Sequence, residues 1–188
     1  MTRQLPPNRA AFTPEQTAQY DRFTQARKPA ADGRLGGPFD PWITNPELFQ
    51  RLTGLGNMLW NRTSLDRGLV ELAISVTAKV WRSNVEWAAH APRAIEFGVA
   101  ASVLDDVLAG RPVQGRPQDE LVVEVCQAMH AAHALPRPLY DHAVAAFGEQ
   151  GLAELMAVIG YYVLVSMTLN AFEVQVGPGM KAVFERDA

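Results

Sequence analysis

Glu71, Ser83, Glu86 and His90 all fall within the run VELAISVTAKVWRSNVEWAAH, so two carboxylates and an imidazole lie within a few helical turns of one another. These side chains move protons. Glu86 and His90 are four residues apart, so on a helix they share a face, and a carboxylate beside an imidazole favours the protonated ring. Such a ring donates a proton near neutral pH. Arg82 and Arg93 are near in sequence and carry the planar fork that holds a substrate carboxylate by two contacts. Trp60, Trp81 and Trp87 add large aromatics beside the set, as the wall of a water-excluding pocket would require.

Two helical settings are open for these residues. One uninterrupted helix over 68–90 places Glu71, Ser75, Lys79, Arg82, Ser83, Glu86 and His90 within an arc of roughly 120°. That strip is either the lining of a buried pocket or a solvated face. The alternative breaks the helix near Arg82, because Ser83-Asn84-Val85-Glu86 fits a capping box in which Ser83 and Glu86 exchange hydrogen bonds. It sets Ser83 at a helix N-terminus, where a cysteine would have its pKa lowered. Glu71 also reads as an ordinary early-turn helix acid.

The elements that must position these residues are helical throughout. Residues 1–45 are dense in Pro and Gly, with one short helix after Thr13-Pro14, and read as an arm able to wrap a neighbour. Residues 46–188 read as one domain. Its helices are expected from Asn45-Pro46 to Trp60, 66–81, 83–98, 101–109, 118–134, 136–147 and 152–174. No alternation of polar and apolar residues supports a half-buried strand, so the fold class is all-α. The segment 152–172 is apolar enough for a bilayer, yet Glu154, Ser166, Thr168 and Asn170 interrupt it, and it reads as the central core helix. Leu69-Val70-Glu71-Leu72 and Leu152-Ala153-Glu154-Leu155 form a faint internal echo, with the acid/base set kept in the first copy alone.

Composition narrows the function further. A chain of 188 residues is long enough for one substantial core without staples. With 17 basic against 20 acidic residues the net charge is −3, which gives no electrostatic case for nucleic acid or a membrane surface as partner. The single cysteine, Cys126, cannot form an internal disulfide, and no signal peptide opens the chain, so a reducing cytoplasm is expected. Cys126 reads as a small core residue. His130 and His133 lie three apart, but no His-Glu-x-x-His core accompanies them and no metal is expected. No glycine-rich phosphate loop and no nucleophile elbow is present, so neither a nucleotide cofactor nor a serine hydrolase is supported.

Glu71, followed twelve residues later by Ser83-x-x-Glu86-x-x-x-His90, resembles the alkyl hydroperoxidase D signature of the carboxymuconolactone decarboxylase family, with Ser83 and Glu86 at the two cysteine positions. Val85 stands where the peroxidase often has a histidine. The arrangement Glu86, His90, Pro92 and Gly98 is similar to the decarboxylase branch, and GPFDPWITNPEL and GYYVLVSMTLNAFEV resemble a cysteine-free subgroup. The resemblance implies an alkyl hydroperoxidase D-like helical bundle that assembles as a trimer or hexamer.

It also implies a cofactor-independent lyase or isomerase acting on a small unsaturated, carboxylate-bearing lactone or related acid, as in the degradation of aromatic compounds. His90 would protonate carbon after decarboxylation, with Glu86 orienting it and Glu71 as a second acid/base or an anchor. Ser83 would donate a hydrogen bond, Arg82 or Arg93 would hold the carboxylate, and Trp87 and Trp60 would exclude water. Two other readings stand beside it. One is peroxidase activity, which the missing Cys-x-x-Cys disfavours. The other is a non-catalytic oligomeric binding protein.

Overall fold

The computed structural model describes residues 2–185, which form eight α-helices, one short 3-10 helix and no strand. Helices begin where the chain supplies a cap. α1 (Pro14–Ala26) opens on Thr13, whose side chain accepts from the Gln16 amide while the Gln16 side chain accepts from the Thr13 amide. After the single turn of α2 (Phe39–Trp42), α3 (Pro46–Asn61) opens on Asn45 with proline at its first position. α4 (Arg67–Val80) is capped by Asp66, which accepts from the Gly68 amide at 2.9 Å. There follow α5 (Asn84–Glu96), α6 (Ala101–Ala109), α7 (Pro117–Ala132) and α8 (Arg137–Ala171). Gly148, at φ 72 and ψ 168, divides α8 into two stretches, close to the two segments read from the sequence.

The central helix is α4, and this corrects the expectation for 152–172. Every residue from Gly68 to Ala78 is buried, and α4 packs against α5, α6, α7 and α8. Glu71, Ser75, Ser83, Glu86 and His90 of the expected polar strip are therefore no solvated face, whereas Lys79 is half-buried and Arg82 exposed. α8 lies at the side of the bundle and turns Ala153, Ala157, Gly160, Leu164, Met167 and Ala171 outward. Among the described residues it is the one helix long and apolar enough to cross a membrane, and half of its most apolar window is buried against the bundle. The echoing helices α4 and α8 pack together, but Glu71 is buried whereas Glu154 accepts from the exposed Ser64 at 2.7 Å.

The single helix over 68–90 does not form. Arg82 has φ 49, the Ser83 amide donates to the Ala78 carbonyl at 2.8 Å, and the Arg82 amide donates to the Lys79 carbonyl at 3.2 Å. These two bonds make a Schellman turn, with arginine in the left-handed position that glycine usually takes. A straight helix would set Glu71 and His90 about 28 Å apart at 1.5 Å per residue. The turn folds α5 back along α4 and brings them together.

Residues before 46 do not stand apart from the core. Tyr20, Leu35, Trp42 and Ile43 are buried in the same core as the helices, and Phe23, Phe39 and Phe49 pack ring against ring. The segment covers its own chain. At the other end, residues 174–185 form a strap held by Asn84, whose Oδ1 accepts from the Val183 and Phe184 amides at 2.8 Å each. Its Nδ2 donates to the Phe184 carbonyl at 2.9 Å, and the Phe184 ring meets Trp87 edge-on at 5.8 Å.

Candidate active site

The α4–α5 hairpin places His90 between two carboxylates. Glu71 is 0% exposed, and its Oε1 accepts from Trp60 Nε1 at 2.9 Å and from Arg67 Nη2 at 2.8 Å. Its Oε2 lies 2.5 Å from His90 Nδ1. A carboxylate already accepting from two donors can only accept again, so Nδ1 carries hydrogen and donates. This fixes the ring's orientation and leaves Nε2 to do chemistry. Arg67 is itself stacked over Trp60, 3.7 Å from the ring centroid, so the acceptor, the cation and the indole brace one another.

On the other side, Nε2 lies 3.4 Å from Glu86 Oε2. That is an ion-pair distance but a poor hydrogen bond, and Glu86 Oε2 is buried without a hydrogen-bond partner. Burial pushes the Glu86 carboxyl above its usual range, and the nearby negative Glu71 pushes the same way, against His90, Arg93 and Arg27. The edge of Tyr162 closes the site, its ring 5.2 Å from that of His90 at 77°. Burial, followed by the charge of Glu86, holds the Tyr162 phenol well above its ordinary value, so it keeps its proton. Tyr161 packs edge-on against Tyr162 and donates to the Leu52 carbonyl at 3.0 Å.

Glu86 and His90 face an open cleft of about 1080 Å³, which Trp60, Arg93, Tyr161 and Tyr162 also line. The N-terminal segment supplies part of its wall, including Arg27 and Phe39, and the strap supplies Gln175 to Gly177 and Met180. Asp40, also in the wall, accepts from the Leu35 and Gly36 amides at 2.8 and 2.9 Å and so shapes the loop beneath it.

The remaining expected site residues lie elsewhere. Glu71 sits behind the imidazole, outside the lining, and is the closer partner of the ring, a part the sequence reading assigned to Glu86. Ser83 is the N-cap of α5, but the expected capping box does not form. Its Oγ is buried without a partner, and Glu86 turns to His90 instead. Trp87 is buried behind the cleft against Phe184, and Arg82 donates to the Glu185 carbonyl, so neither lines it. Arg67 was missed, although its place four residues before Glu71 is an ion-pair spacing. Tyr161 and Tyr162 were hidden in an apolar run, and Arg27 in the Pro/Gly-rich segment.

Thiol chemistry has no place in this cleft. Cys126, on α7, is 0% exposed and outside the lining, and burial pushes its thiol up. His130 Nε2 lies 3.2 Å from Thr77 Oγ1, with its ionisation held down by burial. Among the described residues no group of three His, Cys, Asp or Glu side chains is placed to hold a metal ion.

No family model and no curated protein matches the sequence. Solved structures do match by shape. The crystal structure of an alkylhydroperoxidase AhpD core, an uncharacterized peroxidase-related protein from Ralstonia eutropha JMP134, superposes with a TM-score of 0.74 at 14% identity, over 94% of this chain and 93% of that one. An uncharacterized peroxidase-related protein from Silicibacter sp. TM1040 superposes with a TM-score of 0.72 at 14% identity, over 94% and 92%. The all-helical chain thus has the fold of the AhpD-like, peroxidase-related proteins.

Proposed function

We propose that the cleft is the active site of a cofactor-independent lyase or isomerase that acts on a small unsaturated, carboxylate-bearing lactone or related acid. The observation that carries this reading is His90, fixed between two buried carboxylates with its Nε2 side open to the cleft. Loss of carbon dioxide from such an acid leaves an electron pair delocalised into the conjugated carbonyl. His90 Nε2–H then protonates carbon, and the ring is left neutral with Nδ1–H still bonded to Glu71. Glu86, poised upward by burial, returns a proton to Nε2. An isomerase uses the same pair, taking a proton from one carbon and delivering it to another. The outward apolar stripe of α8 favours self-association as a trimer or hexamer, which sedimentation would measure.

The test is a panel of unsaturated carboxylated lactones and acids incubated in heavy water, followed by proton NMR for loss of carboxyl carbon and for deuterium entering carbon. Turnover by the wild type, lost in His90→Asn and Glu86→Gln with helicity retained, is the expected result. Turnover untouched by both variants would end the assignment of His90 and Glu86. Inertness of the wild type across the panel would favour a binding protein on this fold.

A further inference from the structure

We infer that Arg27 and Arg93 form an anion subsite at the cleft, which takes the charged end of a flat conjugated acid while the aromatic wall takes its body. The inference rests on the reading of this cleft as the active site and adds to it a recognition element from outside the helical bundle. Arg93 lies on α5, three residues beyond His90, and Arg27 caps the end of α1 in the N-terminal segment; both line the cleft.

Most arginines of the chain are occupied. Arg9, Arg51, Arg111, Arg116 and Arg137, for example, each hold a carboxylate within 2.8 Å. Among the described residues the side chains of Arg27 and Arg93 form neither an ion pair nor a hydrogen bond, and each lies over an aromatic ring instead. Arg27 is 5.0 Å from the Phe39 centroid, and Arg93 is 5.4 Å from that of Trp60. They are also near enough to repel, since Arg93 adds to burial in holding Arg27 below its ordinary value. Asp40 and Glu86 in the same cleft act on Arg27 only at longer range, so two cations that face one cleft with no carboxylate in direct contact are relieved by an anion between them.

The rest of the lining defines the body of that anion. Phe39, Trp60, Tyr161 and Tyr162 present rings, which suit a planar unsaturated or aromatic skeleton. Arg93 and His90 share α5 at a spacing of three residues, so an acid held at Arg93 has its conjugated carbons beside the imidazole. Either a carboxylate or a phosphate monoester satisfies the guanidinium pair, and the test separates them.

The experiment is calorimetric titration of the wild type, Arg27→Gln, Arg93→Gln and Arg51→Gln with three probes: trans-cinnamate, the uncharged trans-cinnamamide and phenyl phosphate. Arg51, paired with Glu47 on α3 away from the cleft, controls for net charge. One anion should bind the wild type at least about tenfold more tightly than cinnamamide, and each cleft variant should lose about tenfold to a hundredfold for that anion alone. Whether cinnamate or phenyl phosphate is preferred then identifies the anionic group. Equal binding of anions and amide, no binding of either anion, or an equal loss in Arg51→Gln overturns the subsite. The wild type separates the two ideas: anion binding without turnover on any acid keeps the subsite and removes the lyase, whereas turnover insensitive to both cleft arginines does the reverse.

Discussion

Replacing Glu71 by glutamine tests the core of the reasoning, because it keeps the shape of the side chain and removes its charge. The amide oxygen can still accept from Trp60 and Arg67, the partners of Oε1. The amide NH2 then points at His90 Nδ1, where Oε2 stood. Two donors cannot face one another, so the ring must lose its Nδ1 hydrogen and hold hydrogen on Nε2 alone, next to Glu86. The bonds from Arg67 and His90 lose a charged acceptor, and a charge-assisted bond exceeds a neutral one by about 1–1.5 kcal/mol. Arg67, with 21% of its side chain exposed, also loses its only ion-pair partner among the described residues. Together these give a loss of about 2–4 kcal/mol, below the 3–5 kcal/mol of a fully broken buried pair because two acceptor bonds survive. For a chain of this size that lowers Tm by about 4–16 °C. Urea denaturation measures the first quantity, and nitrogen NMR of the His90 ring measures the tautomer. A loss under about 1 kcal/mol with hydrogen still on Nδ1 would refute the assignment of Glu71 as the group that fixes the ring.

Glu86→Gln should change stability in a pH-dependent way. With its folded pKa raised by burial above the ordinary 4.5, Glu86 contributes stability that is fully present below 4.5 and is lost as pH rises through the folded value. The variant lacks that loss, so its urea midpoint relative to wild type should improve as pH rises above 4.5; a relative midpoint that falls as pH rises would contradict the burial argument. Gly68→Ala drives a methyl to 2.6 Å from the Phe97 carbonyl, a backbone atom at the α5–α6 turn, and should destabilise by about 1–3 kcal/mol in thermal melts. A neutral effect there would mean that the turn yields. Cys126 should give no reaction with a thiol reagent in the folded protein and one equivalent after denaturation, given its complete burial and raised pKa. Rapid native labelling would reopen thiol chemistry.

What was legible in the chain was local. Thr13-Pro14 and Asn45-Pro46 announce helix starts by cap chemistry, and the four-residue spacing of Glu86 and His90 sets both on one face of α5. The pairing of Glu71 with His90 was not legible, because it depends on a chain reversal at a left-handed Arg82. The break near Arg82 was read from the spelling of the Ser83 cap, but without glycine at position 82 the sharp left-handed reversal was not. Ser83-x-x-Glu86 has capping-box spelling, but the Ser83 amide is already given to the Ala78 carbonyl in the turn, and Glu86 lies beside His90 instead. The N-terminal wall was obscured for another reason. Phe23, Phe39 and Trp42 follow no helical period across the Pro/Gly-rich stretch, and their burial arises from partners far along the chain, such as Thr168, which accepts from Trp42 Nε1 at 3.2 Å.

The strap is fixed like a bridge on two piers. At one, the Val174 amide donates to the Leu169 carbonyl at 2.9 Å and Glu173 pairs with Arg3 at 2.7 Å. At the other, Asn84 grips Val183 and Phe184. Between them lie Gly177 and Gly179, the latter at φ 78, where the backbone bends most freely. A span held in this manner bows without letting go of either bank. A ligand entering past the strap would require only a few of its residues to flex on the nanosecond-to-microsecond scale, with the helices unparted, so Glu71, behind His90, would keep its buried setting.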